Sequence, residues 1–171
     1  MRHRSSAFPL GIVLAASIGV ASVTGQSFTG KAERDEIASV ARNDPTMAAA
    51  MREARAKLPD FLKLTAAPRP SIERFAVKVA VREGDTAEYF WINPFESKDG
   101  QFSGQLNNTP RSVKSVKLGD TIKFTEKEIV DWLYIENNQM KGNFTACALL
   151  KNESKQEREA FKKRFGLDCG F

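Results

Sequence analysis

Residues 72–95 read I-E-R-F-A-V-K-V-A-V-R-E-G-D-T-A-E-Y-F-W-I-N-P-F, and this stretch decides the fold. Phe75, Val77, Val79 and Val81 alternate with Lys78 and Arg82, the period-2 signature of a strand with one buried face. Glu83-Gly84-Asp85 supplies a turn, and Ala87 to Phe95 continues as a second strand dense in aromatic residues. Downstream, Lys98-Asp99-Gly100 has the Asp-Gly chemistry of a tight hairpin. Gln101–Leu106, Ser112–Lys117 and Thr121–Phe124 read as further strands, punctuated by Asn107-Asn108-Thr109-Pro110 and Leu118-Gly119-Asp120. A short helical turn is expected at Glu126–Val130. A last hairpin, Asp131–Glu136 with Lys141–Leu150, would turn at Asn137-Asn138.

Upstream of these strands the period is helical. Asp44 is a capping residue and Pro45 suits a first helical turn, where its missing N–H costs nothing. Met47, Met51, Ala54 and Leu58 then form one apolar stripe. Pro59 is expected to bend or restart the chain before Phe61, Leu62 and Leu64, and 66–70 reads as a stiff linker. At the other end, Glu153–Phe165 reads as a charged helix that Gly166 stops in a left-handed cap. The fold class expected is α+β: a strongly bent antiparallel sheet packed against an N-terminal helix, with a C-terminal helix.

The first 25 residues are of a different kind. Arg2, His3 and Arg4 precede an apolar run from Leu10 to Val23, which at about 14 residues is short of the roughly 20 that span a bilayer. Small residues follow. This is the pattern of a signal peptide cleaved near Gly25, leaving Gln26 first. The organisation expected is therefore a signal peptide at 1–25, a leader with a short helix at 26–44 (Lys31–Arg42), and one domain at 45–171. An uncleaved leader would be the chain's single link to a membrane.

Charge and composition exclude several functions. Of 26 basic residues, Arg2 and Arg4 lie in the leader, which has no acid; the remainder carries 24 basic and 21 acidic groups, a mild excess. Lys and Glu are interleaved in sequence, without the basic stripe that nucleic-acid binding needs. The single histidine is His3, inside the leader. A mature chain without histidine has no Ser-His-Asp or Cys-His system of the usual form, and two cysteines alone do not complete a zinc site. No phosphate-cradling glycine motif occurs. No cofactor and no metal are expected. Cys147 and Cys169 are an even pair in an exported chain and are expected to form a structural disulfide.

Carboxylate chemistry or binding remains. Asp85, Glu88, Asp120 and Asp131 lie near turns and strand ends, and paired carboxylates perform acid–base work when their environments separate their pKa values. Asp120 and Asp131 are the catalytic candidates for a hydrolase acting on envelope polymers; turn geometry and strand capping are the plainer readings of both. Among Tyr89, Phe90, Trp91, Trp132 and Tyr134, alternation sets Phe90 opposite Tyr89 and Trp91, so one set faces a less buried side. Trp91, Trp132 and Tyr134 are the candidate binding anchors, since Trp and Tyr dominate interface hot spots.

Several strings in order carry a family likeness: F-A-V-K-V at 75–79, E-Y-F-W-I-N-P-F at 88–95, G-Q-F-S-G-Q-L-N-N-T-P at 100–110, V-K-L-G-D-T-I at 116–122, I-V-D-W-L-Y at 129–134 and G-N-F-T-A-C-A-L-L at 142–150. With the Ala-rich helix at 46–64, they resemble the YegJ-like family of bacterial proteins, a domain of unknown function. The resemblance covers roughly residues 45–165. It implies a bacterial source and hence a periplasmic or secreted location, and it assigns no activity and no catalytic residue. The cysteine pair is not part of the family pattern. The expected function is a non-catalytic module that binds another envelope protein or a small ligand, with the carboxylate hydrolase as the alternative.

Overall fold

The computed structural model describes residues 44–171, preceded by Ser27, Thr29 and Gly30. The expected signal peptide and the short helix at Lys31–Arg42 lie outside the described residues. Helix α1 (Pro45–Ala66) leads into strands β1 (Ile72–Glu83), β2 (Thr86–Lys98), β3 (Gln101–Leu106), β4 (Thr121–Phe124), β5 (Ile129–Glu136) and β6 (Gln139–Gly142). Helices α2 (Phe144–Leu150) and α3 (Lys155–Phe165) complete the chain. The strands form one open antiparallel sheet in the order β4-β3-β2-β1-β5-β6, which makes the fold α+β. Among the described residues no helix is long and apolar enough to cross a membrane.

The Asp44 carboxylate accepts from the N–H groups of Thr46 and Met47 at 2.8 and 2.9 Å, which starts α1 where its sequence indicates. Met47, Ala54, Leu58 and Phe61 are the residues that α1 buries. Pro59 neither stops nor restarts the helix, which runs unbroken to Ala66. Proline's fixed φ is already helical, so the cost is one donor and a steric contact. Packing of Phe61 offsets it: its ring lies 4.8 Å from Trp132, 5.9 Å from Phe75 and 6.3 Å from Phe95.

The alternation read in β1 holds. Val77 and Val79 join Phe90, Ile92 and Trp132 in the core beneath α1, with Phe75 and Val81 packed at its margin. Two-residue turns at Asp99-Gly100 and Asn137-Asn138 close hairpins with all four residues at positive φ, as their sequences predict.

One expected strand is absent and another is cut short. Residues 112–117 form an irregular loop in which the N–H groups of Ser112, Val113, Lys114 and Lys117 bond to carboxylates instead of a neighbouring strand. Residues 144–150 are helical, so the last hairpin stops at Gly142. Gly142 and Asn143 both take left-handed φ, +81° and +55°, which ends the strand, and the Thr-Ala-Cys-Ala-Leu-Leu that follows propagates as α2.

Cys147 of α2 is bonded to Cys169, 22 residues on, with Cα atoms 5.6 Å apart. The bond closes a small second core in which Ala146, Leu150, Phe161 and Leu167 are buried. Closing a loop of that size contributes about 3 kcal/mol through the unfolded chain.

Candidate functional site

One face of the sheet meets α1; the other carries a row of residues across three strands. On β1, Lys78 pairs with Trp91 of β2 on one side and Asp131 of β5 on the other. Because β1 is a central strand, the lysine has cross-strand neighbours on both sides, and its ammonium lies 4.8 Å from the centre of the Trp91 ring. The row opens on a cleft of about 460 Å³ whose walls include Lys78, Trp91, Tyr89, Asn108, Arg111 and Thr145.

Asp131 is fully buried. Its Oδ1 accepts from the N–H groups of Trp132 at 2.8 Å and Phe144 at 3.2 Å. Its Oδ2 accepts from the Thr145 N–H at 2.8 Å and the Thr145 hydroxyl at 2.6 Å. The same hydroxyl accepts from the Lys78 ammonium at 2.8 Å, completing a Lys78–Thr145–Asp131 chain. An ionised carboxylate offers about four acceptor positions, and here four donors fill them. Burial pushes the Asp131 carboxyl above its ordinary value, against the pull of the Lys78 charge and the hydrogen bonds from Thr145 and Trp132. Asn143, at the N-cap of α2, makes no capping bond with its side chain. Asp131 reaches across from β5 and caps the helix in its place.

Asp120 stands elsewhere. It is exposed, and its carboxylate accepts from the Lys117 N–H at 2.8 Å, closing the turn before β4. Strands β3, β2 and β1 separate β4 from β5, so Asp120 and Asp131 do not form a carboxylate pair. Asp85 lies exposed in the β1–β2 turn.

Glu88 organises the rim of the cleft. Its carboxylate accepts from the N–H groups of Arg111, Ser112 and Val113 at 2.9, 2.8 and 3.0 Å, pinning the 107–120 loop while Val113 is buried in the core. Burial alone would raise its pKa. The backbone bonds of Ser112, Val113 and Arg111, with the Arg111 charge, outweigh it and hold the carboxyl below its ordinary 4.5. A depressed folded pKa means stabilisation that is complete above the unfolded value and lost as pH falls through the folded one. Amide exchange at 111–113, corrected for its intrinsic pH dependence, should therefore accelerate selectively as pH drops below 4.5. In Glu88→Gln that acid-side response should vanish, with a stability loss of about 1–2 kcal/mol, limited because the carboxylate is mostly solvated. Equal acceleration in both proteins would show that another group holds the loop.

The three aromatic candidates do not share a surface. Trp132 is buried under α1, donating its indole N–H to the Ala54 carbonyl at 2.9 Å and stacking on Phe61 and Tyr134. Tyr134 is half-buried at the margin of the same core. Trp91 faces the opposite side, half-buried, over the cleft. Asn107 and Asn108 grip its backbone: the Asn107 N–H donates to the Trp91 carbonyl at 2.9 Å, and the Trp91 N–H to Asn108 Oδ1 at 2.6 Å.

Sequence reasoning missed Lys78 and Thr145. A signal for Lys78 was present: a lone lysine between Ala76 and Ala80, mid-strand in an apolar run, has small flanking side chains that leave room beside its own. Nothing local marked Thr145, whose role arises from a residue 14 positions away.

The family described as an uncharacterized protein conserved in bacteria (DUF2314) matches residues 44–169. Uncharacterized protein YegJ of Escherichia coli (strain K12) is 26% identical over 118 residues, 69% of this chain and 76% of its own length. A putative ankyrin repeat protein of Neisseria meningitidis serogroup B is 27% identical over 88 residues, 52% of this chain and 35% of that protein's length. No solved structure matches.

Proposed function

We propose that this chain, which belongs to the bacterial DUF2314 family, is an exported, non-catalytic module that binds a small ligand in the cleft over Trp91. The observation that carries the reading is the Trp91 indole, half-buried beside a cleft of about 460 Å³ with the Lys78 ammonium held 4.8 Å from its ring centre. A cleft of that volume lies within the roughly 300–1,000 Å³ of small-molecule sites. An aromatic wall for stacking with a few fixed polar groups is the usual division of labour in such sites. Lys78, Arg111 and Asn108 give the walls donors suited to an anionic or polar planar group. Binding is favoured over hydrolysis because all four acceptor positions of Asp131 are occupied, leaving none to take a proton from water. Export is supported by the tripartite leader and by the Cys147–Cys169 bond, since disulfides persist in oxidising compartments.

The test is a thermal-shift screen of the full chain against fractionated low-molecular-mass material from a bacterial envelope, with Trp91→Ala beside it. A bound ligand at 100 times its Kd stabilises by about 2.7 kcal/mol, a rise in Tm that the wild type should show and Trp91→Ala should lose. Without ligand the substitution should cost about 1 kcal/mol or less, because the ring is only half-buried. No active fraction, or a rise of equal size in both proteins, would overturn the reading.

A further inference from the structure

A second and larger groove, of about 1010 Å³, runs between β6, α2, α3 and the segment after α3. It shares Met140 and Phe165 with the Trp91 cleft and is otherwise separate. Its basic residues are Arg74, Lys141, Lys151, Lys162, Lys163 and Arg164; its acids are Glu53, Glu73 and Asp168. The difference is three positive charges, equal to the whole excess that the chain carries outside residues 1–25. Half of these bases are the consecutive run Lys162-Lys163-Arg164 at the end of α3, and folding brings Arg74, Lys141 and Lys151 to the same groove from β1, β6 and the end of α2. Asp168 bonds Lys162 at 2.8 Å, which cancels one charge of each sign within the groove, while Glu53 bonds Lys57, a residue outside the groove lining, at 2.7 Å.

The groove is not uniformly polar. Phe144, Phe165 and Phe171 contribute to its wall, and Phe171 is 49% exposed, with the Arg158 guanidinium 5.1 Å from its ring centre. The Cys147–Cys169 bond lies in the same wall and ties the segment after α3 to α2. A surface held in shape before binding loses less freedom on association.

We propose that this groove docks an acidic peptide segment of a partner protein, one whose carboxylates alternate with apolar side chains. Its volume is at the top of the small-molecule range, as an extended segment requires. Cations mixed with a few acids and an aromatic wall suit a chain that varies its side chains from residue to residue. An evenly charged phosphate or sulfate polymer would meet Glu73 as repulsion and would gain nothing from Phe171, whereas an alternating segment can set an apolar side chain against each. The site is independent of the Trp91 cleft and stands or falls separately.

Fluorescence anisotropy of a labelled decapeptide of alternating glutamate and leucine, titrated with the full chain, tests it. Saturable binding is expected, weakening as salt rises from about 50 to about 300 mM, because exposed charges are screened over that range. Lys151 and Lys163 are exposed, so Lys151→Glu with Lys163→Glu should leave Tm within about 1 °C while weakening binding about tenfold or more. Phe171→Ala should weaken it further at high salt, where the apolar contribution remains. Absence of saturable binding, or binding indifferent to the lysine substitutions, would overturn the proposal. Tighter binding of a polyphosphate of equal charge would overturn it too, in favour of a polyanion site.

Discussion

Replacing Asp131 with alanine should destabilise the protein by about 3–5 kcal/mol, the range for breaking a buried charge network from one side. The carboxylate is fully buried and receives four hydrogen bonds, three of them from backbone N–H groups with no carboxylate to replace it. Its loss uncaps α2, strands the Thr145 hydroxyl and removes the negative charge that faces Lys78. Against a total of about 5–15 kcal/mol for a domain, this is a large fraction. Urea unfolding monitored by circular dichroism should show a lower midpoint with little change in slope, and Tm should fall by about 10 °C or more. Asp131→Asn should cost less, about 2 kcal/mol, since one amide oxygen still accepts while the NH2 opposes a donor. If Asp131→Ala costs less than about 1 kcal/mol, the carboxylate is not what holds α2 on the sheet. Such a result would free the residue for a catalytic interpretation.

Trp132→Ala should be comparably damaging, at about 3–5 kcal/mol. The ring sits among Phe61 at 4.8 Å, Phe144 at 5.3 Å and Tyr134 at 6.2 Å, and its N–H satisfies the Ala54 carbonyl. Removing it opens a cavity at the contact between α1 and β5 and leaves that helix carbonyl without its side-chain donor. The comparison with Trp91→Ala is informative because both residues are tryptophans on neighbouring parts of one sheet. Equilibrium unfolding should separate them by about 2 kcal/mol or more, with Trp132 the costlier. Equal costs would mean that Trp91 is also a core residue and would remove the basis for a ligand platform. A binding defect in Trp132→Ala would by contrast report lost structure and carry no information about a surface.

The fold was readable where neighbouring residues decide it. Alternation in 75–81 places Val77 and Val79 in the core, and the Asp-Gly and Asn-Asn pairs adopt positive φ because their own chemistry tolerates it. Asp44 and Pro45 start α1, and Gly166 stops α3 at φ +72°. The errors come from longer-range choices. In 112–114 the backbone donors go to Glu88 and Glu83, more than 20 residues away, so strand propensity is overridden there. In β5, the register shifts between Lys78 and Val79, so that Ile129 joins Trp132 on the core side although simple alternation puts it with Asp131. A bulge changes which residues share a face, and the local pattern does not announce it.

The candidate site divides in the same way. That the chain has a single histidine, His3, and a cysteine pair suited to one bond follows from the sequence alone, as does the placing of Trp91 opposite Phe90. These depend on composition and on the strand's period of two, which need no knowledge of neighbours. That Trp91 meets Lys78, that Lys78 meets Asp131 through Thr145, and that Asp120 stands three strands away were decided by strand order and by the crossing of α2. So was the meeting of Arg74, Lys141 and Lys151 with the Lys162-Lys163-Arg164 run around one groove. Coulomb and hydrogen-bond energies depend on distances in space, and only packing the sheet against its helices sets those distances.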